Sequence, residues 1–205
     1  MGSGDALSLQ EQFGRIDIYL FDQLWRGNIA PGMRVVDAGC GHGRNLVYLM
    51  REGYEVFGVD ANAEAVADVR EMAGQLAPGL PSENFQVAAI EAMPFPDAFA
   101  DVVVCNSVLH FARDEAHFDA MLREMWRVLR PGGILFCRLG STIGMTFETV
   151  GRRVFRMPDR QEWFLVDEAM VMGLTRTLGG ALVDPLKTTV VQGMRCMTTW
   201  VVRKG

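Results

Sequence analysis

The sequence predicts an open α/β fold in which a mainly parallel, doubly wound sheet carries helices on both faces. Three observations predict it. Short valine-rich runs at 35–36, 54–59 and 101–105 read as buried parallel strands. Helical patterns at 63–76 and 114–129 alternate with those strands, which argues for right-handed parallel crossovers. The stretch 33–45, MRVVDAGCGHGRN, runs as strand, glycine turn and helix start.

Taken in order, Ser8 and Glu11 have the form of a capping box. Phe13, Ile16, Leu20 and Leu24 then keep helical spacing, so a single N-terminal helix is expected. Ala30-Pro31-Gly32 breaks it before the first strand. The segment 44–50, RNLVYLM, is expected to be helical directly after the turn. The second strand covers 54–59, and the helix at 63–76 ends near Pro78 and Pro81. A short third strand is read at 84–88 and a fourth at 101–105. Asp114 caps a helix whose face is Phe118, Met121, Leu122, Met125 and Leu129. Pro131-Gly132-Gly133 leads into a fifth strand at 134–138. A last helix spans 167–178. Runs at 182–191 and 196–202, split by Gly193, read as an antiparallel strand pair because no helix fits between them.

The glycine turn is the strongest functional signal. Glycine allows positive φ and close approach of a ligand to the backbone. A helix start offers free N–H groups and a partial positive charge. Several nucleotide-like ligands compete for such a turn. A dinucleotide site wants G-x-G-x-x-G, but the sixth position here is Arg44. Asp60 ends the second strand about 20 residues beyond the first glycine, where an acid can hold ribose hydroxyls.

Composition narrows the classes. The chain has 205 residues, 49% of them hydrophobic and 22% charged, which suits one domain with a substantial core. A net charge of −5 argues against a protein that depends on nucleic-acid phosphates. No apolar run approaches the ~20 residues of a membrane span, and the start MGSGDALSLQ lacks a signal-peptide pattern. Cys40, Cys105, Cys137 and Cys196 are widely spaced, as expected of free thiols in a reducing cytoplasm. His42, His110 and His117 show no metal-ligand spacing, so no metal is expected.

VVDAGCGHGRN, GVDAN, MPFPDAFADVVVCNSVLHF and MWRVLRPGGIL follow one another as in class I S-adenosylmethionine (SAM)-dependent methyltransferases of the type 11/12 kind, which the stretch 33–137 resembles. GHGRNLVYL with the following GYEV is locally similar to tellurite-resistance-type methyltransferases. The resemblance implies a Rossmann-like seven-stranded sheet of order 3-2-1-4-5-7-6 with strand 7 antiparallel. It divides one domain into a helical cap (1–30), a SAM-binding core (31–139), a lid (140–166) and a C-terminal helix with its strand pair (167–205). It implies SAM as cofactor, S-adenosylhomocysteine (SAH) as product and a small-molecule acceptor. No nucleic-acid or membrane partner is expected, and oligomeric state stays open.

By the same resemblance, Asp60 serves the ribose hydroxyls. Asp37 and the backbone of Gly39, Cys40 and Gly41 serve the methionine end, Asn106 offers its ammonium a carbonyl partner, and Ala38, Asn45, Ala61 and Glu91 are further cofactor-binding candidates. Ile90 covers the adenine face. Many family members carry an acid where this chain has Ala89, which leaves Glu91 as the nearest one. His110 follows the fourth strand and is the candidate general base, against a purely packing or hydrogen-bonding role. His117 reads as a surface residue, and Tyr19 and Arg15 are candidate acceptor contacts. The segment 140–166 mixes aromatics with Arg152, Arg153, Arg156 and Arg160, and Arg153 and Arg156 are the candidate acceptor residues in it. CNSVLHF lacks the Pro-Cys context of cytosine methylases. Three rivals stay open: a non-catalytic SAM-binding protein, an NAD(P)-linked oxidoreductase, and an alkyl transferase using another sulfonium.

Overall fold

The computed structural model describes residues 7–205. The first six residues of the expected N-terminal cap lie outside the described residues. The capping box forms as expected: Glu11 N–H donates to Ser8 Oγ and Ser8 N–H to Glu11 Oε2. The single helix expected beyond it does not form. It breaks into α1 (Leu9–Phe13) and α2 (Ile18–Trp25). Gly14 sits at φ +62° against Val47, where an added Cβ would lie 2.8 Å from Cγ2. The chain turns there, and Asp17 caps α2 by accepting from Tyr19 N–H.

The strands β1 (Arg34–Ala38), β2 (Glu55–Asp60), β3 (Phe85–Val87), β4 (Ala100–Asn106) and β5 (Leu129–Gly140) all run parallel. They alternate with α3 (Val47–Arg51), α4 (Ala63–Leu76) and α5 (Glu115–Val128). Beyond β5 come β6 (Glu148–Gly151), β7 (Val154–Arg156), β8 (Glu162–Phe164), α6 (Glu168–Thr177), β9 (Gly180–Leu182), β10 (Lys187–Val191) and β11 (Arg195–Lys204). The main sheet is ordered β3-β2-β1-β4-β5-β11-β10, with β11 antiparallel to β5. This is the expected 3-2-1-4-5-7-6 order, β11 standing as the seventh strand and β10 as the sixth. The strand expected at 182–191 is split: β9 and β10 pair with opposite ends of β11.

Both faces of the central strands are covered, which explains their unbroken apolar runs. Val36, Val103 and Leu135 face a core built with Phe118, Leu122 and Met125 of α5. Val35, Val102, Val104 and Phe136 face the opposite core, built with Leu49 of α3 and Val66 and Val69 of α4. Full burial of each such side chain contributes about 1.5–3 kcal/mol. Segment 140–166 is ordered into a separate three-stranded antiparallel sheet, β6-β7-β8. It docks through β8, where Phe164 stacks on Phe118 at 4.8 Å and Trp163 stacks on His110 at 4.0 Å.

Candidate active site

The carboxyl ends of β1, β2 and β4 open onto one cleft with two lobes, as expected at the switch point of such a sheet. A lobe of about 240 Å³ is lined by Ala61, Ala89, Ile90, Glu91, His117 and Met121, among others. A second, of about 650 Å³, is lined by Arg15, Cys40, Gly41, Arg44, Asn45 and Asn106, among others. Gly39, Asp60, Val108 and Phe111 line both.

The glycine turn is fastened to β2. Gly39 and Cys40 N–H groups donate to Val59 O at 2.8 and 3.0 Å. Gly41 N–H donates to Asp60 Oδ2 at 2.8 Å, and Asn62 N–H to Oδ1 at 2.9 Å. Gly39 adopts φ +86°, and a Cβ there would lie 2.5 Å from Val108 Cγ2. Glycine is therefore required for both conformation and space. The expected helix at 44–50 starts late. α3 begins only at Val47, after a Leu46 cap with no side-chain hydrogen bond, and the N–H groups of Gly39, Cys40, Gly41 and Gly43 are spent on Val59 O, Asp60 Oδ2 and Cys40 O.

Asp37 lies under this turn and is 1% exposed, with neither carboxylate oxygen hydrogen-bonded among the described residues. Burial pushes its pKa up to about 7; nearby Arg44 opposes the rise and Asp60 adds to it. Asn106 Oδ1 accepts from Arg44 Nη2 at 2.7 Å and from Ser107 Oγ at 2.9 Å. Its carbonyl is thus occupied, and its buried Nδ2 is the atom left without a partner. Ser107 holds a positive φ of 66°, the kind of local strain that collects at functional sites.

Asn45, expected to bind the cofactor, also holds the N-terminal corner: its Oδ1 accepts from Asp17 N–H at 3.0 Å. The Asp17 carboxylate in turn pairs with Arg138. Arg15, between these anchors and Gly14, lines the larger lobe. Tyr19 bonds Thr189 Oγ1 at 2.7 Å and stacks under the Arg138 guanidinium, and it lines neither lobe. His110 is 2% exposed, and burial lowers its pKa to about 4. It packs between Phe111 and Trp163 and also lines neither lobe. Arg153 is held by Asp167 at 2.9 Å, and Arg156 by Glu148 at 3.0 Å and Glu162 at 3.5 Å. No residue of 140–166 lines either lobe among the described residues.

Several lining residues escape the sequence reading. His117, expected on the surface, has a side chain only 13% exposed and meets Glu91 at 3.2 Å in the smaller lobe. Arg44, noted only for breaking a dinucleotide pattern, enters the larger lobe. Phe111, one residue past the candidate base, lines both.

Residues 36–137 match the family profile described as a methyltransferase domain. The chain belongs to the class I SAM-dependent methyltransferase family. Among the chain's relatives, the malonyl-[acyl-carrier protein] O-methyltransferase of Enterobacter lignolyticus is 32% identical over 165 residues, covering 80% of this chain and 61% of its own. A methyltransferase of Synechocystis is 33% identical over 116 residues, 56% of this chain and 51% of its own. The chain thus spans about half to three fifths of the length of these curated relatives. In fold it is similar to a SAM-dependent methyltransferase of Methanosarcina mazei, with TM-score 0.69, 20% identity, and coverage of 88% of this chain and 96% of that one. No helix among the described residues is long and apolar enough to cross a membrane.

Proposed function

We propose that this protein transfers a methyl group from SAM to a small-molecule acceptor and releases SAH. The observation that carries the reading is the Asp60-anchored glycine turn at the floor of a two-lobed cleft. The donor set fits the cofactor. Asp60 lines both lobes, where a ribose would lie, with Ala61 beside it in the smaller one. Ile90 and Glu91 line the smaller lobe and would serve adenine, Glu91 standing in for the acid absent at Ala89. Ala38, Gly39, Cys40, Gly41 and Asn45 would frame the methionine end. The unpartnered Asp37 carboxylate suits its ammonium, and Asn106 Nδ2 with Arg44 suits its carboxylate.

When bound, the cofactor supplies an electrophilic methyl on a sulfonium. The protein's part is then alignment and exclusion of water. Phe111 and Val108 form the apolar wall between the lobes. The reading keeps the chain as one cytoplasmic domain, with 1–30 as cap and 140–166 supporting the acceptor side through Trp163. Tyr19, Arg153 and Arg156 would then act by holding the cap and the small sheet in place.

A non-catalytic SAM binder remains a second reading because His110, the base candidate, lies off the cleft. Thermal unfolding with SAM, SAH and NADH tests the cofactor. SAM and SAH at 100 times Kd should each add about 2.7 kcal/mol. Stabilisation by NADH alone overturns the reading in favour of an oxidoreductase. SAH formed from SAM on adding a metabolite extract separates the enzyme from the binder.

A further inference from the structure

The smaller lobe of the cleft is an apolar slot with a polar corner. Ile90, Val108, Phe111 and Met121 supply apolar lining. Two acids also reach it, Asp60 and Glu91. Asp60 is spent on the N–H groups of Gly41 and Asn62. Glu91 is not: its Oε1 lies 3.2 Å from His117 Nε2, and its Oε2 meets no donor among the described residues. His117 is fixed at both ends. It stands in the first turn of α5, where its backbone N–H donates to the capping Asp114 at 2.7 Å. Its ring Nδ1 accepts from Arg113 N–H at 3.2 Å. An accepting Nδ1 carries no proton, so the ring N–H is on Nε2, the nitrogen beside Glu91. The loop that carries Glu91 is tied to the same helix. Met93 N–H donates to Glu124 Oε1 at 2.9 Å, and Arg127 Nη2 donates to Phe95 O at 2.8 Å. Acid and imidazole are thereby held in one frame, Glu91 on the turn Ile90–Ala92 and His117 on α5.

We propose that His117 is a positioning residue for the cofactor's base: its Nε2–H holds Glu91 so that the second carboxylate oxygen reads the 6-amino group of adenine. This rests on the methyltransferase reading above and adds to it a source of base selectivity. The Nε2–H turns toward Oε1, which leaves Oε2 to accept from the ligand. Ala89 offers no acid of its own, so the acceptor comes from two residues further along the chain and is aimed by a helix that the sequence places elsewhere. An amino group donates and a carboxylate accepts. A base with hydrogen at that position gives Oε2 nothing to bind and leaves a partly buried carboxylate unpaired, which is how a site built around a donor rejects a ligand that lacks it.

The test compares, by calorimetry on the full chain, the affinity of SAH with that of its 6-deamino analogue, in which hydrogen replaces the amino group. The parent should bind SAH at least about tenfold more tightly, the ~1.4 kcal/mol scale of one hydrogen bond to a charged group. In Glu91→Gln the amide oxygen takes the His117 N–H, and the amide N–H₂ is left facing the adenine amino group. Two donors then meet, and the preference for SAH should fall to within about twofold, the loss of that one bond. His117→Phe keeps an aromatic ring on α5 and removes the donor. It should weaken SAH about threefold or more, as the loss of a hydrogen bond does, and leave the analogue unchanged. His117→Gln, whose amide N–H₂ can replace the Nε2 donor, should restore the preference. A merely structural His117 would lower both affinities together in His117→Phe, and that result overturns the proposal. Equal affinity of the parent for SAH and the analogue, a preference that survives in Glu91→Gln, or failure of His117→Gln to restore it each overturn the proposal as well. Should His117→Phe fail to fold, the Glu91→Gln comparison decides alone. Absence of SAH binding to the parent overturns the methyltransferase reading itself.

Discussion

Arg44 Nη2 donates a 2.7 Å hydrogen bond to Asn106 Oδ1 across 62 residues of sequence, joining the glycine turn to the end of β4. The bond fixes the Asn106 amide with its donor free. It also places a guanidinium where a dinucleotide fold has its third glycine. A charge-assisted hydrogen bond is typically worth about 1.5–3 kcal/mol. Arg44→Ala should therefore weaken SAH by about tenfold or more in calorimetry. Binding of 5′-methylthioadenosine, which lacks the amino-acid end, should not change. Equal loss for both ligands would assign Arg44 to the turn's architecture and not to the methionine carboxylate.

Asp60 has two tasks, so its removal should be read on two instruments. Asp60→Ala deletes acceptors for Gly41 and Asn62 N–H groups. About 1–3 kcal/mol of stability should be lost where a donor is left unpaired. SAH affinity should fall at least about tenfold if the ribose hydroxyls also use this carboxylate. Asp60→Asn, which keeps one carbonyl acceptor, should recover part of the stability but little of the affinity. A folded Asp60→Ala protein with unchanged SAH binding removes the ribose assignment.

What the sequence reveals, and what it hides, follows the range of the interactions. The capping box of Ser8 and Glu11 spans three residues and is readable directly. Buried parallel strands leave valine runs, so β1, β2 and β4 are legible, and the family resemblance supplies the sheet order. The break at Gly14 is not legible because its cause is Val47, more than thirty residues away. The small sheet β6-β7-β8 is not legible because its strands have three or four residues and β6 is exposed throughout, leaving no alternation to read. At the site, Gly39 and Asp60 announce themselves by motif. His117 and Phe111 do not, since only the packing of α5 and the turn at Leu109–Phe111 brings them to the cleft.

Asp37 and His110 should bend the pH dependence of stability in opposite directions. Asp37 has a folded pKa of about 7, raised by burial from 3.8. Between those values the native state holds the extra proton, so Asp37 makes stability fall as pH rises, by about 4 kcal/mol in all. His110 has a folded pKa lowered by burial to about 4. There the unfolded state holds the extra proton, so stability falls by about 3 kcal/mol as pH drops from 6.5 to 4. The two effects oppose each other between about pH 4 and 6.5. Relative to the parent, Asp37→Asn should gain stability as pH rises from 4 to 7, and His110→Phe should gain it as pH falls from 6.5 to 4. Denaturant unfolding across this range checks both signs; parallel curves for parent and Asp37→Asn would show that Asp37 does not titrate here.

His110 and Trp163 decide what the small sheet contributes. The rings stack at 4.0 Å, and Trp163 meets Phe111 edge-on at 6.1 Å. Gly140 leaves just enough room, because a Cβ there would lie 3.0 Å from the Trp163 ring and 2.7 Å from Leu165. His110 thus packs between Trp163 of β8 and Phe111, the wall shared by both lobes, and we propose that its role is packing. His110→Phe preserves the stack and should leave kcat within about twofold, whereas loss of a general base typically costs about 10²–10⁴-fold. Trp163→Ala removes the support of Phe111 and should raise acceptor KM while SAH affinity holds. A hundredfold fall in kcat for folded His110→Phe would return the catalytic role to His110. Equal losses of SAH affinity and acceptor KM in Trp163→Ala would show that the sheet serves the whole cleft and not the acceptor side.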